Sequence, residues 1–415
     1  MIQHFPPFRT SPTHWAFTAT PRSLRLFLGF VVLALLCLAV SGCARDLGAS
    51  TRGWGSVAAA NGVVYATTLA GPVYALDDFG PDGVSTRWIS AVGSERGFGG
   101  AYGSPAVGRY VYVSGIDGFL YAFDGSGGGG AVQVAWRQPQ FEAEDMPPLV
   151  GSPGLDEAGG IIAVGSEDGG LYAYNALTGE NLHWSPFHTD GKVWSTPVLR
   201  NGIAYFGSQD GAVYAVSLET GALVWRFDTG GAVVATPLVH KNLLIVGSFD
   251  RRLYALGLND GQPRWQVEAE NWWWATPVSS GGRAIYAASM DGNVYAVDDN
   301  GVLLWKYDMG APIVADPVLV ERGIVVASRE GRVVLLRASA SAQETPQEIA
   351  SYSIRDGDIK APLVKSGTVG LGGATEQEVV YVGTDDGKVR RLQVLSGFMP
   401  HWCYDTDNNT QCPRN

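Results

Sequence analysis

The sequence predicts an all-β chain folded as a single eight-bladed β-propeller of four-stranded antiparallel blades, with seven blades as the alternative count. Three observations predict it. First, a Ser/Thr/Asp-Pro step recurs at Pro105, Pro153, Pro197, Pro237, Pro277 and Pro317, with a weaker copy at Ala361-Pro362. The intervals are 48, 44, 40, 40, 40 and 45 residues, the period of an array of small sheets. Second, each copy reads as four short segments rich in Val, Tyr, Ile and Trp. They are separated by Asn-Gly, Asp-Gly or Thr-Gly, and the first two pairs supply the positive φ angles of tight hairpins. Third, no stretch of the repeat sustains a helical period. A four-stranded sheet cannot bury both faces alone, and packing such sheets around an axis does so.

Taken in order, residues 1–42 read as an export signal. An uncharged apolar run at 26–40 follows Arg22 and Arg25, and it is short for a membrane span, which needs about 20 residues. Val40-Ser41-Gly42-Cys43 ends the run and resembles the bacterial lipobox, which implies that Cys43 is lipidated and becomes the mature N-terminus. Residues 43–53 then form a lipidated linker, 54–406 the propeller and 407–415 a C-terminal tail. A degenerate first copy begins at Ser56-Val57, without the proline.

The clearest copy spans residues 194–230. Its turns are Asn201-Gly202, Asp210-Gly211 and Thr220-Gly221. The central turn returns as Asp117-Gly118, Asp168-Gly169, Asp291-Gly292, Glu330-Gly331 and Asp386-Gly387. The fifth copy has Asp250-Arg251 instead. A left-handed arginine is costly, so a different turn type is expected there. The seventh copy carries a small, polar insert at 338–348.

Charge excludes some partners. Removing residues 1–42 takes away Arg9, Arg22 and Arg25 and no acid, leaving 26 basic and 40 acidic side chains, a net charge of −14. Such a surface argues against nucleic acid and against a basic membrane-binding patch; attachment would come from acyl chains. After Cys37 leaves with the signal and Cys43 takes lipid, Cys403 and Cys412 remain. In an exported protein that pair reads as a disulfide pinning the last strand and tail.

No catalytic constellation stands out. His183, His188, His240 and His401 are scattered, and the recurring Asp residues are turn residues. No zinc-like spacing surrounds the cysteines. Residues 405–409 (DTDNN) lack the glycine and distal glutamate of a calcium loop. Residues 127–130 are all glycine, with no helix or lysine after them, so they form no phosphate loop. Neither a metal nor a cofactor is expected.

The end of each copy carries a more specific pattern. Residues 215–225 read AVSLETGALVW, 173–184 read AYNALTGENLHW, and 255–265 read ALGLNDGQPRW; 296–305 is one residue shorter. These resemble the A-x-D-x-x-T-G-x-x-x-W docking motif of the quinoprotein (PQQ-like) propeller repeat. The resemblance implies that the Gly makes the last turn and the Trp packs between blades. Here that role falls to Trp184, Trp225, Trp265 and Trp305, with Trp88 and Trp136 in the first two blades and Trp402 in the last. The Asp position departs from the pattern at Ser217, Asn175 and Gly257, and the seventh copy lacks the Trp. One branch of that superfamily is quinone-dependent dehydrogenases, with calcium-binding side chains, a catalytic Asp and, in many members, adjacent cysteines. This chain has no adjacent cysteines. The other branch is non-catalytic and includes BamB-like envelope lipoproteins.

Three residues before each repeat proline stand Tyr102, Val150, Trp194, Val234, Trp274, Val314 and Ile359, with Trp54 in the first copy. Packing between blades is their expected role, and a ring around the channel mouth is the alternative. Trp272-Trp273-Trp274 is different, because consecutive strand side chains alternate faces and three indoles cannot all enter one buried layer. Exposed aromatics on a rigid rim suit a protein partner, so Trp272, Trp273, Trp274, Trp194 and Tyr102 are the candidate contacts, with Phe98 beside them. The reading is a lipid-anchored envelope scaffold, monomeric within a larger complex, in the BamB manner. The alternatives are a quinone-binding dehydrogenase, or a propeller that binds small molecules or polysaccharide.

Overall fold

The computed structural model describes residues 56–69, 71–90, 100–126, 130–140, 146–279, 281–282, 284–337, 346–366 and 378–412. The export signal, Cys43, Trp54, Phe98 and most of the seventh-copy insert lie outside the described residues.

Eight antiparallel sheets succeed one another along the chain. In blade 4 the strands are Val198–Arg200, Ile203–Gly207, Ala212–Ser217 and Leu223–Asp228, hydrogen-bonded in that order. The first strands lie innermost, and those of blades 1 and 2, 3 and 4, 6 and 7, 7 and 8, and 8 and 1 lie against one another. The last strand is outermost, and in blade 4 its exposed and covered residues alternate. The described residues contain no α-helix, and a 3-10 turn at Gly80–Asp82 interrupts blade 1. The core is divided among eight apolar clusters, each lying between two adjacent blades. The blade number is therefore eight, and every blade is partnered on both faces.

The ring closes without any exchange of strands, because blades 1 and 8 each draw their first four strands from one continuous segment. Val57, Val64 and Leu76 of blade 1 pack against Val379, Tyr381 and Trp402 of blade 8. Two outer edges are covered by the chain itself. Gly130–Ala131 pairs in parallel with Trp88 and Ile89 on blade 1. Thr410–Gln411 adds a fifth strand to Phe398–Asp405 on blade 8. This strand falls within the stretch assigned to the tail from 407 onward. Asp405 makes it possible by capping the intervening turn through the N–H groups of Asp407 and Asn408. A disulfide joins Cys403 and Cys412 across that turn, with Cα atoms 5.2 Å apart.

The central turns repeat a hydrogen-bond set. In blade 4, Asp210 accepts from the Ala212 N–H at 2.9 Å and from the Tyr214 hydroxyl at 2.6 Å. Asp117, Asp168, Asp250 and Asp291 each accept from a tyrosine four residues later in the same way. The turn at Asp250-Arg251 belongs to this set, contrary to the sequence expectation of a different type. Arg251 adopts φ 73°, close to the 84–90° of the glycines at 118, 169, 211, 292 and 331. The Asp250 carboxylate holds the turn through the Arg252 N–H and Tyr254, which offsets the left-handed cost.

Candidate functional site

Two layers of side chains matter for function: the indoles between blades and the rings around the axis. Between blades, Trp184 donates from Nε1 to the Leu218 carbonyl of the next blade at 2.8 Å. Trp136, Trp225 and Trp265 donate likewise to Ala176, Leu258 and Asp299. Each indole covers the Thr-Gly, Asp-Gly or Asn-Gly turn of that neighbour: a Cβ on Gly221 would lie 2.5 Å from Trp184, and one on Gly261 would lie 2.6 Å from Trp225. Gly221 and Gly261 also have positive φ, so two separate constraints select glycine. The turns keep their caps where the Asp of the repeat is lost. Asn175 accepts from the N–H groups of Leu177 and Thr178, and beside Gly257 the cap moves to Asp260, which accepts from Gln262. Trp305 packs between blades 6 and 7. Trp88 is buried with its Nε1 unpaired. Trp402 donates to the Asp78 carboxylate at 2.9 Å.

Around the axis lies a cavity of about 110 Å³. Its outer ring consists of Tyr102, Val150, Trp194, Val234, Trp274, Val314 and Lys360. This corrects the expectation of inter-blade packing for the column, and it replaces Ile359 with Lys360. Ile359 is fully buried, like Val193, Val233, Trp273 and Ile313 at the equivalent position of other blades. In blade 8, Leu363 occupies the place that proline holds elsewhere, so the register runs one residue later than Ala361-Pro362 suggests.

The second ring is polar. Ser56, Ser104, Ser152, Thr196, Thr236 and Thr276 come from blades 1–6, followed by Asp316 and Pro362. Neighbouring blades are tied here. Ser152 Oγ accepts from the Ser104 N–H at 2.8 Å, and Asp316 Oδ1 accepts from the Thr276 N–H at 2.7 Å. Ser104 Oγ is buried and makes no hydrogen bond. Burial pushes the Asp316 carboxyl up to about 6, against the opposing hydrogen bonds from Thr276.

The candidate partner contacts separate. Trp273 is a correction: it is 0% exposed, donates to the Arg251 carbonyl at 3.0 Å and packs on Tyr295, with ring centroids 4.9 Å apart. The three indoles lie ahead of the first strand of blade 6, Val278–Ser279, and only the middle one is turned inward. Trp272 and Trp274 are half-buried and clasp Phe249 between them. The Phe249–Trp272 centroids are 4.5 Å apart at 8°, and the Phe249–Trp274 centroids 5.6 Å apart at 27°. Sequence reasoning missed Phe249 because it comes from the preceding blade, next to the turn residue Asp250. Trp194 is fixed by Glu167, which accepts its Nε1–H at 3.0 Å and pairs with Lys192 at 2.7 Å. Tyr102 lines the same mouth.

A second, open groove of about 770 Å³ runs beside the outer strands of blades 7 and 8, past Tyr352, Arg355, Lys388, Arg390 and His401. Lys388 and Arg390 are both paired with Asp386. Burial, then the Arg391 charge, lowers the His401 pKa. His240 is buried against Asp299. Among the described residues, no cluster of three His, Cys, Asp or Glu side chains could hold a metal.

Eight four-stranded blades with inter-blade indoles over glycine turns define a PQQ-like β-propeller. A family model described as outer membrane protein assembly factor BamB matches residues 183–271 and 259–399. The chain belongs to this BamB-like family of PQQ-like propellers. No curated protein sequence matches it. Among solved structures, BamB from Moraxella catarrhalis is 18% identical, with a TM-score of 0.56 over 72% of this chain and 86% of that one. Sqt1 from Saccharomyces cerevisiae is 12% identical, with a TM-score of 0.68 over 83% and 97%. The computationally designed Ika8 protein is 15% identical, with a TM-score of 0.64 over the same shares. At these identities the three establish the shared fold.

Proposed function

We propose that this protein is a non-catalytic envelope scaffold, anchored through lipid on Cys43, that holds a protein partner at the aromatic mouth of its axial channel. Membership of the BamB-like family supports a role in outer-membrane protein assembly. The observation that carries the reading is the Trp272–Phe249–Trp274 stack, a rigid and half-exposed apolar platform beside Trp194 and Tyr102. Aromatic anchors of this kind supply much of the energy of protein interfaces. The acidic mature charge argues for a protein partner over nucleic acid. A quinone-dependent reaction is less well supported, since a cavity of about 110 Å³ is small beside the roughly 300–1,000 Å³ of ordinary cofactor sites.

Affinity capture of the native lipidated protein from its own envelope tests the proposal, with Trp272→Ala/Trp274→Ala as the parallel bait. Recovery of a defined envelope complex by the wild type, reduced with the double variant, is the expected result. Calcium-dependent quinone binding with dye reduction, and no captured protein, would overturn it.

A further inference from the structure

We propose that the axial channel is a binding site for a protonated primary amine carried on a slim aliphatic chain. The inference goes beyond the scaffold reading and does not depend on it. It begins with a chemical mismatch in the polar ring. Six blades place Ser or Thr at this level, and blade 7 places Asp316. In blades 3 and 7 the side chain at this level has a structural task, which is to accept the N–H of the ring residue in the preceding blade. Ser152 performs that task for Ser104 with a hydroxyl alone, at 2.8 Å. Asp316 performs it for Thr276 with one carboxylate oxygen. The Thr276 hydroxyl bonds the carboxylate as well; a hydroxyl suffices at the equivalent place in blade 3, and no ion pair satisfies the charge of Asp316 among the described residues. Burial raises its pKa, so the ionised form is costly without a cation.

The rest of the lining fits one kind of cation. A primary ammonium brings a single charge and three donors, matching one carboxylate and surrounding hydroxyl acceptors. Ser104 Oγ, buried and unpaired, is an acceptor already present in the lining. A divalent ion would call for more carboxylate oxygens than this ring has. The mouth adds the indoles of Trp194, whose ring already draws Lys192 Nζ to 5.9 Å from its centroid, and of Trp274, which stacks on Phe249. Lys360 at the same mouth is already neutralised, 2.7 Å from Asp385 and 3.6 Å from Asp358. A cavity of about 110 Å³ holds three or four waters at about 30 Å³ each, or one unbranched alkylammonium chain. The amine can come from a free alkylamine or from a lysine presented by a protein.

The test is calorimetric titration of the purified protein with n-butylamine and cadaverine at pH 8, followed in parallel by indole fluorescence. Saturable binding that weakens at least about tenfold in both Asp316→Asn and Asp316→Ser is the expected result. Asn and Ser each retain an acceptor for Thr276, so both variants should melt with the wild type. Undiminished binding in folded variants, or no saturable heat with the wild type, would overturn the proposal. A lysine-containing peptide and its Nε-acetylated twin then separate the sources. Binding of the first alone supports a protein lysine; binding of the small amines without the peptide supports a free amine. Envelope capture with Asp316→Asn as bait reads the scaffold function independently, through the aromatic platform.

Discussion

Arg251 occupies a backbone conformation that the equivalent turns assign to glycine, and its exposed side chain gains only a 3.8 Å pairing with Glu268. A left-handed non-glycine residue costs about 1–2 kcal/mol, partly returned by the lower entropy of a non-glycine unfolded chain. Arg251→Gly should therefore stabilise the protein by about 0.5–1 kcal/mol in urea unfolding, with an unchanged m-value. The three consecutive tryptophans give a sharper contrast. Trp273 is enclosed between blades 5 and 6, so Trp273→Ala should cost about 3–5 kcal/mol. Trp272→Ala and Trp274→Ala remove half-exposed rings and should change the melting temperature far less while reducing partner capture. A Trp272→Ala variant that unfolds as early as Trp273→Ala would make the platform a packing feature.

At the scale of the blade, the turn aspartates couple local structure to pH. Burial pushes Asp291 upward, but hydrogen bonds from Tyr295, Asn293 and the Glu270 N–H outweigh it and leave its pKa below the ordinary value. A depressed carboxylate contributes stability that is full above its unfolded pKa of about 3.9 and is lost as pH falls through the folded value. Asp291→Asn should thus melt below the wild type at pH 7, and the gap should narrow as the medium is acidified through that range. The disulfide acts on one outer strand. Replacing Cys403 and Cys412 by Ser should cost about 2–3 kcal/mol, in keeping with a short closed loop. Proteolysis near residues 407–412 should precede cleavage elsewhere. These elements were legible in the sequence because each rests on a local rule: Asp-Gly for the turn, period-2 strands, and a Thr-Gly turn followed by Trp. What was illegible depends on neighbours far away in the chain. Phe249 meets Trp272 and Trp274 only across a blade boundary. The register of blade 8 is set by which side chains are buried, so the proline at 362 pointed one residue astray. The charge of Asp316 was visible as a letter, but its place in a hydroxyl ring was not.

For the whole molecule the decisive feature is how a ring of eight sequential blades stays shut. Nothing covalent links the first blade to the last among the described residues, so closure rests on the apolar contact between them and on hydrogen bonds, several of which converge on one carboxylate. Asp78, 8% exposed at its side chain, accepts from Arg391 Nε at 2.9 Å, from Trp402 Nε1 at 2.9 Å and from the Tyr381 hydroxyl. It also caps its own turn through the Gly80 N–H at 2.8 Å. Between blades 3 and 4, 4 and 5, and 5 and 6, the docking indole meets only a backbone carbonyl. At the closure a charged side chain takes that place and gathers three donors of blade 8. The Tyr74 hydroxyl to the Thr406 carbonyl and Gln411 Nε2 to the Val84 carbonyl add neutral bonds on either side. Asp78→Ala would leave the Arg391 guanidinium buried and uncompensated, a loss of about 3–5 kcal/mol for a pair of this kind. Since Asp78 is the shared acceptor, Arg391→Met combined with Asp78→Ala should recover part of that loss, so that the double variant loses less stability than the two single variants summed in a double-mutant cycle. The opening should also be local: blade 8 loses its partner while blades 2–7 keep both of theirs. Hydrogen exchange in Asp78→Ala should therefore accelerate first in Val57–Leu76 and Val379–Tyr404, with protection in blades 4 and 5 unchanged. Uniform loss of protection around all eight blades would mean instead that the propeller unfolds as one unit, with no weakest seam.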